Sequence, residues 1–200
     1  MIRRGIDISL AVFALCVLSP ILIVIAVSVF VSSGWPVFYA GVRVGRNGKP
    51  FRMWKFRTMI RHADRLGSVS GPNDPRITRI GRVLRATKLD ELPQFVNLLR
   101  GEITLVGPRP EVPATIERYT DRQRQVLKYT PGITAPGEIF FTEVQEPSIP
   151  HGVDAEAYFF EHLLDEKVEI DLDYFASRTA RSDAGVVLRT ARTMVRGLQR

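Results

Sequence analysis

The stretch KLDELPQ, residues 88–94, places two adjacent acids, Asp90 and Glu91, ahead of an amphipathic segment. Apolar residues recur at helical spacing through residues 92–99, which predicts a helix that ends near Gly101. Aspartate is a favoured N-cap residue, and the proline of this stretch falls in the first turn, where proline is tolerated. The pattern therefore predicts that both carboxylates lie at the beginning of a helix.

A second amphipathic helix is predicted immediately upstream, over residues 77–84, where the apolar residues share one face. Its other face is cationic, with arginines three residues apart at Arg76, Arg79, Arg82 and Arg85. A solvated charged face is the usual outcome of such a run. Because this run directly precedes two acids, we expect at least Arg85 to face an anion.

Short strands are predicted at residues 37–39 and 51–56, on either side of the turn sequence GRNG at residues 45–48, and together they indicate a β-hairpin. Residues 67–75 are small, polar and rich in turn formers, which predicts a loop. Residues 103–106 predict a strand that leads into GPRP. The prolines of that tetrapeptide stiffen the backbone around one arginine.

Helices are predicted near the C-terminus, at residues 158–164 and 167–175 and over the last stretch from Val187. The last helix carries apolar residues on one side and arginines elsewhere. Such a helix could lie on anionic lipid or pack against the domain core, and the sequence leaves both alternatives open.

The N-terminal segment is apolar: the 24 residues from Ile8 to Val31 carry no charge. As one helix they would extend ~36 Å, enough to cross a hydrocarbon core of ~30 Å. However, Ser19 and Pro20 lie at the middle, and proline removes a backbone donor and predicts a kink. Basic residues flank both ends of the segment, so the positive-inside rule does not indicate a clean crossing of the membrane. Spanning and re-entry remain open from the residues alone, and a cleaved signal peptide is disfavoured by the length of the run.

Bulk composition bounds the classes of partner. The 200 residues have a net charge of +7, which favours anionic partners such as nucleotides, nucleic acids or acidic lipids. Cys16 is the only cysteine, which excludes an intrachain disulfide and a cysteine metal cluster, and the three histidines are too dispersed to indicate a metal triad. The composition predicts a membrane-embedded segment over residues 1–34 and one catalytic domain over residues 35–200.

The two adjacent acids suit phosphate chemistry. A carboxylate is a competent nucleophile toward phosphorus when neighbouring groups neutralise the developing charge. A helix N-terminus would attract the phosphate to Asp90, and Glu91 could hold Mg²⁺, which prefers one or two carboxylates with phosphate oxygens and water. An ordinary helix cap with no catalytic role is the alternative interpretation of this pair.

Three motifs occur in order: KFRTM at residues 55–59, LDELPQ at residues 89–94 and VGPRPE at residues 106–111. On these motifs the chain resembles the bacterial sugar transferases, the small monotopic phosphoglycosyl transferases that depend on a polyprenol phosphate. The resemblance is strong as far as PGIT at residues 131–134. That family usually continues with Gly-Trp-Ala-Gln, whereas this chain continues with APGE, so the role of the divergent segment 135–146 is left open.

The resemblance implies an α+β fold that is mainly helical with a small β-hairpin and an N-terminal re-entrant helix-break-helix with its break at Ser19 and Pro20. It implies a monotopic protein of the bacterial inner membrane with the catalytic domain on the cytoplasmic face. The implied activity takes two steps: Asp90 attacks the β-phosphate of a UDP-sugar with release of UMP, and undecaprenyl phosphate then accepts the phosphosugar. The product would enter exopolysaccharide, capsule, O-antigen or glycoprotein assembly.

The resemblance also implies roles for individual residues. Asp90 would be the nucleophile, Glu91 the Mg²⁺ ligand, and Arg109 with its flanking prolines a contact of the uridine nucleotide. The other implied site residues are Lys55, Arg57 and Arg85 as phosphate contacts, Pro108 and Pro110 beside Arg109, and Asp183 as a support residue. The sugar and the oligomeric state stay undetermined, and Glu138 and Glu143 are expected to be surface acids.

Two rival functions are compatible with a basic, membrane-tethered chain. A nucleic-acid binder should show a recognition-helix motif or an aromatic stacking platform, and neither stands out, so nucleic acid is not an expected partner. A non-catalytic scaffold would use Asp90 only as a helix cap, and it would then tolerate asparagine at this position.

Overall fold

The computed structural model describes residues 2–63, 74–150 and 152–198. Helices predominate, and two small two-stranded sheets accompany them, which confirms the predicted α+β class. By contacts the chain divides into two compact units. The N-terminal unit comprises Gly5–Gly41 and Arg52–Arg100, and the C-terminal unit comprises Met1–Arg4, Val42–Phe51 and Gly101–Arg200. The predicted boundary between residues 34 and 35 concerns membrane embedding and stays a prediction.

The N-terminal apolar segment forms two helices, α1 (Ile2–Val17) and α2 (Ser19–Ser33), bent by 63° at the break between them. The Ser19 hydroxyl donates to the carbonyl of Cys16 at 2.8 Å, and a proline occupies the first turn of α2. The predicted kink is therefore confirmed. Among the described residues, no helix alone has the length and apolar content to cross a membrane, whereas the bent pair meets that requirement together.

The predicted hairpin is also confirmed. Strands β1 (Phe38–Val44) and β2 (Pro50–Phe56) pair with each other and are joined through a short 3₁₀ turn, Arg46–Gly48. Asn47 adopts φ 57° within this turn, a left-handed conformation that asparagine tolerates better than most residues. The polar turn sequence thus determines where the chain reverses.

Helix α3 (Arg79–Ala86) begins after Thr78, whose hydroxyl oxygen accepts from the N–H of Gly81 at 3.0 Å. Gly81 lies so close to the chain after β2 that a Cβ atom there would stand 2.0 Å from the carbonyl oxygen of Thr58. The core of the N-terminal unit buries side chains from α2, the hairpin and α3: Ile25, Val29, Val37, Phe56 and Leu84. Of the apolar residues that predicted α3, Ile80 and Leu84 pack in this core, whereas Val83 is exposed.

The acids lie in a different local structure from the one predicted. Residues Leu89–Glu91 form a 3₁₀ turn, and helix α4 (Gln94–Arg100) begins only after Pro93. The prediction of one helix capped by Asp90 is therefore wrong. Proline has no N–H to donate to the carbonyl of Leu89, so the turn is built from bonds to the third residue back, such as Leu92 to Leu89 at 3.4 Å.

The first strand of the sheet in the C-terminal unit is β3 (Thr104–Val106), which lies within the predicted strand 103–106. The chain then forms helix α5 (Pro113–Glu117) and a 3₁₀ helix (Gln123–Lys128) before it reaches β4 (Gly132–Thr134). The two strands pair in parallel, with Thr104 opposite Gly132. A Cβ atom at Gly132 would lie 2.1 Å from the amide nitrogen of Gly107. The close approach of these two glycines holds the GPRP loop against β4.

The remaining elements are helical: α6 (Pro136–Phe140), a π-turn (Phe141–Gln145), a 3₁₀ turn (Glu146–Ser148), α7 (Ala155–Tyr158), a second π-turn (Phe159–Leu163), α8 (Leu164–Ser177) and α9 (Ala180–Leu198). The helices predicted at residues 158–164 and 167–175 are thus parts of one helical run. This unit buries a core that includes Ile116, Tyr119, Val126, Leu164 and Val168. Most of the predicted loop at residues 67–75 lies outside the described residues.

Candidate active site

Asp90 is a buried acid, with 7% of its surface exposed. Burial raises the pKa of its carboxyl group, and the neighbouring Glu91 raises it further. The positive charges of Lys55, Arg85 and Lys88 act in the opposite direction and lower that pKa. The 3₁₀ turn therefore places this carboxyl group in a desolvated site among three cations, where its deprotonated form is a stronger base than an exposed aspartate.

Glu91 is held by a cation from the hairpin. Its Oε1 atom accepts from the Lys55 ammonium, which lies on β2, at 2.6 Å. The two side chains are 30% and 22% exposed, so the pair is reachable from solvent. The predicted site residues Lys55 and Glu91 are thus brought into direct contact.

Arg85 belongs to the same neighbourhood. It lies in the last turn of α3, and its Nε atom donates to the hydroxyl of Thr58 at 2.9 Å. Thr58 follows β2, so α3 and the hairpin fix this guanidinium together. This arrangement agrees with the prediction that Arg85 faces an anion, because its charge acts on Asp90.

Arg57 contacts the end of helix α2. Its side chain is buried, and Nη2 donates to the carbonyl and hydroxyl oxygens of Ser33 at 2.7 and 2.8 Å and to the carbonyl of Gly34 at 2.7 Å. These acceptors form the C-terminal end of α2, where a cation stabilises the helix dipole. Burial, with a further contribution from Arg61, lowers the pKa of Arg57. Its predicted contact with phosphate stays a prediction.

The acids fit one kind of metal site. Among the described residues no cluster of three or more acidic, histidine or cysteine side chains could hold a metal by itself. Mg²⁺, however, commonly takes one or two carboxylates and completes its coordination with phosphate oxygens and water. The adjacent Asp90 and Glu91 supply that donor set, so they fit an ion that is bound together with a phosphorylated substrate.

Arg109 is presented by the GPRP loop of the C-terminal unit. The prolines on either side of it are buried, and the N–H of Gly132 donates to the carbonyl of Pro108 at 2.9 Å. The Arg109 side chain is 44% exposed, and it lines an open pocket together with Tyr119 and Tyr129. Buried Pro108 and Pro110 therefore direct one cation outward, beside aromatic side chains.

A charged network behind Arg109 was not predicted. Glu138 pairs with the Arg109 guanidinium at 3.0 Å through Oε1 and with the Lys167 ammonium at 2.8 Å through Oε2. The expectation that Glu138 is a surface acid is wrong, because its side chain is only 22% exposed. Lys167 and Asp171 are both buried on α8. Their spacing of four residues on an otherwise apolar face was the available signal.

Glu143 and Asp183 also have partners within the C-terminal unit. Glu143 pairs with Arg189, with Nη2 and Oε2 2.5 Å apart, and because its side chain is only 25% exposed, the expectation of a surface acid is wrong here as well. Asp183 accepts from Nε of Arg3 and from the hydroxyl of Tyr174, both at 2.7 Å. The predicted support role of Asp183 stays a prediction.

The predicted site residues divide between the two units. The N-terminal unit contains Lys55, Arg57, Arg85, Asp90 and Glu91, and the C-terminal unit contains Pro108, Arg109, Pro110 and Asp183. The first group places a buried carboxyl group, that of Asp90, under the influence of several cations. A charged site of this kind, in a chain with a bent apolar helix pair, is typical of the class of protein that handles phosphorylated substrates.

Comparison with known proteins agrees with this class. The chain belongs to the bacterial sugar transferase family, whose pattern matches residues 1–197. It is 37% identical over 198 residues to the UDP-glucose:undecaprenyl-phosphate glucose-1-phosphate transferase of Escherichia coli, covering 95% of this chain and 39% of that protein. It is 38% identical over 153 residues to the exopolysaccharide production protein ExoY of Sinorhizobium fredii, covering 68% of each chain.

A third relative has a different sugar in its name. The chain is 34% identical over 200 residues to the UDP-N-acetylgalactosamine-undecaprenyl-phosphate N-acetylgalactosaminephosphotransferase of Aeromonas hydrophila, covering 98% of this chain and 44% of that protein. The chain thus spans about two fifths of the length of the Escherichia coli and Aeromonas relatives.

Proposed function

We propose that this chain is a phosphoglycosyl transferase that moves a phosphosugar from a UDP-sugar to undecaprenyl phosphate and releases UMP. The observation that carries this proposal is the environment of Asp90, a buried carboxyl group next to Glu91 and under the influence of Lys55 and Arg85. The names of the relatives support the donor and acceptor classes, because they specify UDP-sugars and undecaprenyl phosphate.

The first step forms a covalent adduct on the protein. An oxygen of the Asp90 carboxylate attacks the β-phosphorus of the UDP-sugar and forms a new O–P bond. The bond from that phosphorus to the oxygen bridging to the α-phosphorus breaks, and UMP leaves with this oxygen and its electron pair. The adduct is an aspartyl phosphosugar, in which one difficult transfer has been divided into two easier ones.

The second step regenerates the enzyme. A phosphate oxygen of undecaprenyl phosphate attacks the phosphorus of the adduct, and the bond between that phosphorus and Asp90 breaks. The carboxylate is restored, and the product is a lipid-linked diphosphate sugar. This product would feed exopolysaccharide, capsule, O-antigen or glycoprotein assembly.

The residues around Asp90 support both steps. Lys55 and Arg85 place positive charge where negative charge develops on the transferred phosphoryl group. Burial makes the Asp90 carboxylate more basic and therefore more nucleophilic, but the group must be deprotonated to attack. Activity should accordingly fall as the pH drops through the raised pKa of Asp90.

Mg²⁺ is the proposed cofactor, and Glu91, with Asp90 beside it, would hold it. When bound together with the donor, this ion would neutralise charge on the diphosphate. Lys55, which holds Glu91 at 2.6 Å, keeps that carboxylate oriented before substrate arrives.

The bent helix pair is proposed to be a re-entrant membrane anchor. Large apolar side chains on α1 and α2 are exposed, among them Phe13 at 65%, Ile23 at 64% and Val31 at 78%. Trp35 and Tyr39 follow α2 and are exposed as well, as expected of residues at headgroup depth. The 63° bend suits a segment that enters and leaves on one face, with residues 35–200 on the cytoplasmic side of the bacterial inner membrane.

The test of this function is Asp90→Asn, assayed by UMP release from UDP-sugars in the presence of undecaprenyl phosphate and Mg²⁺. We expect transfer to be lost while the thermal midpoint and membrane association are kept, because the amide preserves shape but is not a nucleophile. Asp173→Asn, which changes an exposed carboxylate on α8, is the matched control and should remain active. Turnover of the Asp90 variant at the wild-type rate would exclude Asp90 as nucleophile.

A further inference from the structure

The segment that differs from the usual family sequence, Ala135-Pro136-Gly137-Glu138, is built into a charged network with α8. Glu138 offers one carboxylate oxygen to each of two cations: Oε1 lies 3.0 Å from Nη1 of Arg109, and Oε2 lies 2.8 Å from Nζ of Lys167. A carboxylate has two acceptor oxygens, whereas an amide has one. An acid at residue 138 carries the negative charge that pairs with both cations at once.

Lys167 is a buried cation that supports the ion pair between Glu138 and Arg109. Its side chain is 8% exposed, and the ammonium lies 5.2 and 5.4 Å from the ring centroids of Phe141 and Phe159. Such cation–π contacts and the ion pair to Glu138 compensate a charge that burial would otherwise penalise. Glu111 lies 3.9 Å from this ammonium, whose charge also acts on the carboxylate of Asp171.

The backbone of the segment is fixed as well. The N–H of Gly137 donates to Oδ1 of the buried Asp171 at 2.7 Å. A Cβ atom at Gly137 would lie 2.4 Å from the carbonyl oxygen of Lys167, so only glycine lets the segment approach α8 this closely. Glu138 is therefore held through the backbone of the preceding Gly137 and through its own carboxylate.

We propose that Glu138 is a positioning residue for Arg109 that orients the guanidinium for the uridine nucleotide. Contacts with Lys167 and Asp171 on α8 hold Glu138 and the preceding Gly137 in place. An arginine that is 44% exposed on a loop has many rotamers, and an anionic partner that limits them lowers the entropy lost on binding. This inference rests on the proposed function and on the role that the family resemblance implies for Arg109, a contact of the uridine nucleotide.

The experiment is a double-mutant cycle on the full-length chain, with UMP as the ligand and its Kd measured by titration calorimetry. Glu138→Gln should raise the Kd roughly three- to tenfold, and Arg109→Met should raise it at least as much. In the Arg109→Met background, Glu138→Gln should have no further effect. Glu143→Gln is the matched control: it changes another acid of segment 135–146, paired with Arg189 instead, and should leave the Kd unchanged.

The kinetic counterpart separates positioning from a structural role. Glu138→Gln should raise KM for the UDP-sugar and leave kcat close to that of the wild type. The thermal midpoint of the control variant, Glu143→Gln, should be unchanged. Effects of the two substitutions that multiply would overturn the inference, because Glu138 would then act independently of Arg109. Tighter UMP binding by Glu138→Gln would overturn it too, since Glu138 would then mask Arg109.

Failure of the proposed function has a different signature. A folded wild-type chain that neither binds UMP nor releases it from any UDP-sugar refutes the function, and the inference falls with it. Wild-type binding and turnover without coupling between residues 109 and 138 refutes the inference alone.

Discussion

Replacement of Asp171 by asparagine should change the pH dependence of stability in a defined direction. Asp171 is 4% exposed. Burial raises the pKa of its carboxyl group from 3.8 to about 7; Glu138 adds to the rise, and the N–H of Gly137 and the charge of Lys167 oppose it. The charge of Asp171 in turn contributes to the raised pKa of Tyr119.

The sign follows from proton linkage. Because the folded state binds the Asp171 proton more tightly than the unfolded state, this proton stabilises the fold at low pH, and the stabilisation is lost as the pH rises from about 4 to about 7. The difference between 3.8 and about 7, at about 1.4 kcal/mol per pH unit, sets the effect at up to roughly 4 kcal/mol. Asparagine cannot ionise, and its side-chain oxygen can still accept from Gly137.

The assay is the thermal midpoint of wild type and Asp171→Asn in the same detergent, measured from pH 4 to pH 8. We expect similar midpoints near pH 4 and a variant with a midpoint higher by up to roughly 8–16 °C near pH 8, at about 2–4 °C per kcal/mol for a chain of this size. Asp173→Asn, which changes an exposed acid of the same helix, should follow the wild type throughout. A difference between wild type and Asp171→Asn that stays constant with pH would refute the reasoning.

Three further expectations test other parts of the structure. Lys55→Met removes a cation that lowers the pKa of Asp90, so the acidic limb of the kcat/KM profile should move to higher pH; a move to lower pH would contradict this. Gly81→Ala should lower the free energy of unfolding by about 3 kcal/mol, whereas Gly185→Ala, in open space on α9, should raise it by about 0.5–1 kcal/mol. In a Cys16→Ser background, cysteines introduced at the two chain ends should label from the same side of the membrane, and labelling from opposite sides would refute re-entry.

Features with local causes were predictable from the sequence. Pro20 removes one backbone donor whatever surrounds it, and the kink between α1 and α2 followed. The GRNG turn likewise depends on residues that tolerate left-handed backbone, and the hairpin formed around it. These rules act within a few residues, so they need no knowledge of the tertiary structure.

The local structure at Asp90 was missed although its cause was also local. Proline is tolerated in the first turn of a helix, but here Pro93 lies between a 3₁₀ turn and the start of α4. Tolerance of a residue does not decide between these alternatives. The burial of Asp90 is a separate, tertiary effect, and two of the cations that act on it, Lys55 and Arg85, come from the hairpin and from α3.

The spacing of Lys167 and Asp171 indicates that they share one face of α8, but it does not predict that Glu138 is their partner. Gly137 and Asp171, which fix it, are 34 residues apart in sequence. Their contact requires α6 to pack against α8, and no periodicity of either segment specifies that pairing. An acid in a turn-rich segment resembles any surface acid until its partners are known.

The central claim is the covalent bond between Asp90 and phosphorus, and it is tested most directly by incubating the chain with a UDP-sugar and Mg²⁺ in the absence of undecaprenyl phosphate. We predict a burst of about one UMP per protein chain, together with a peptide that carries the phosphosugar on Asp90 in mass spectra of the quenched protein. No UMP release until the lipid acceptor is added, with an unmodified Asp90 throughout, would contradict the account.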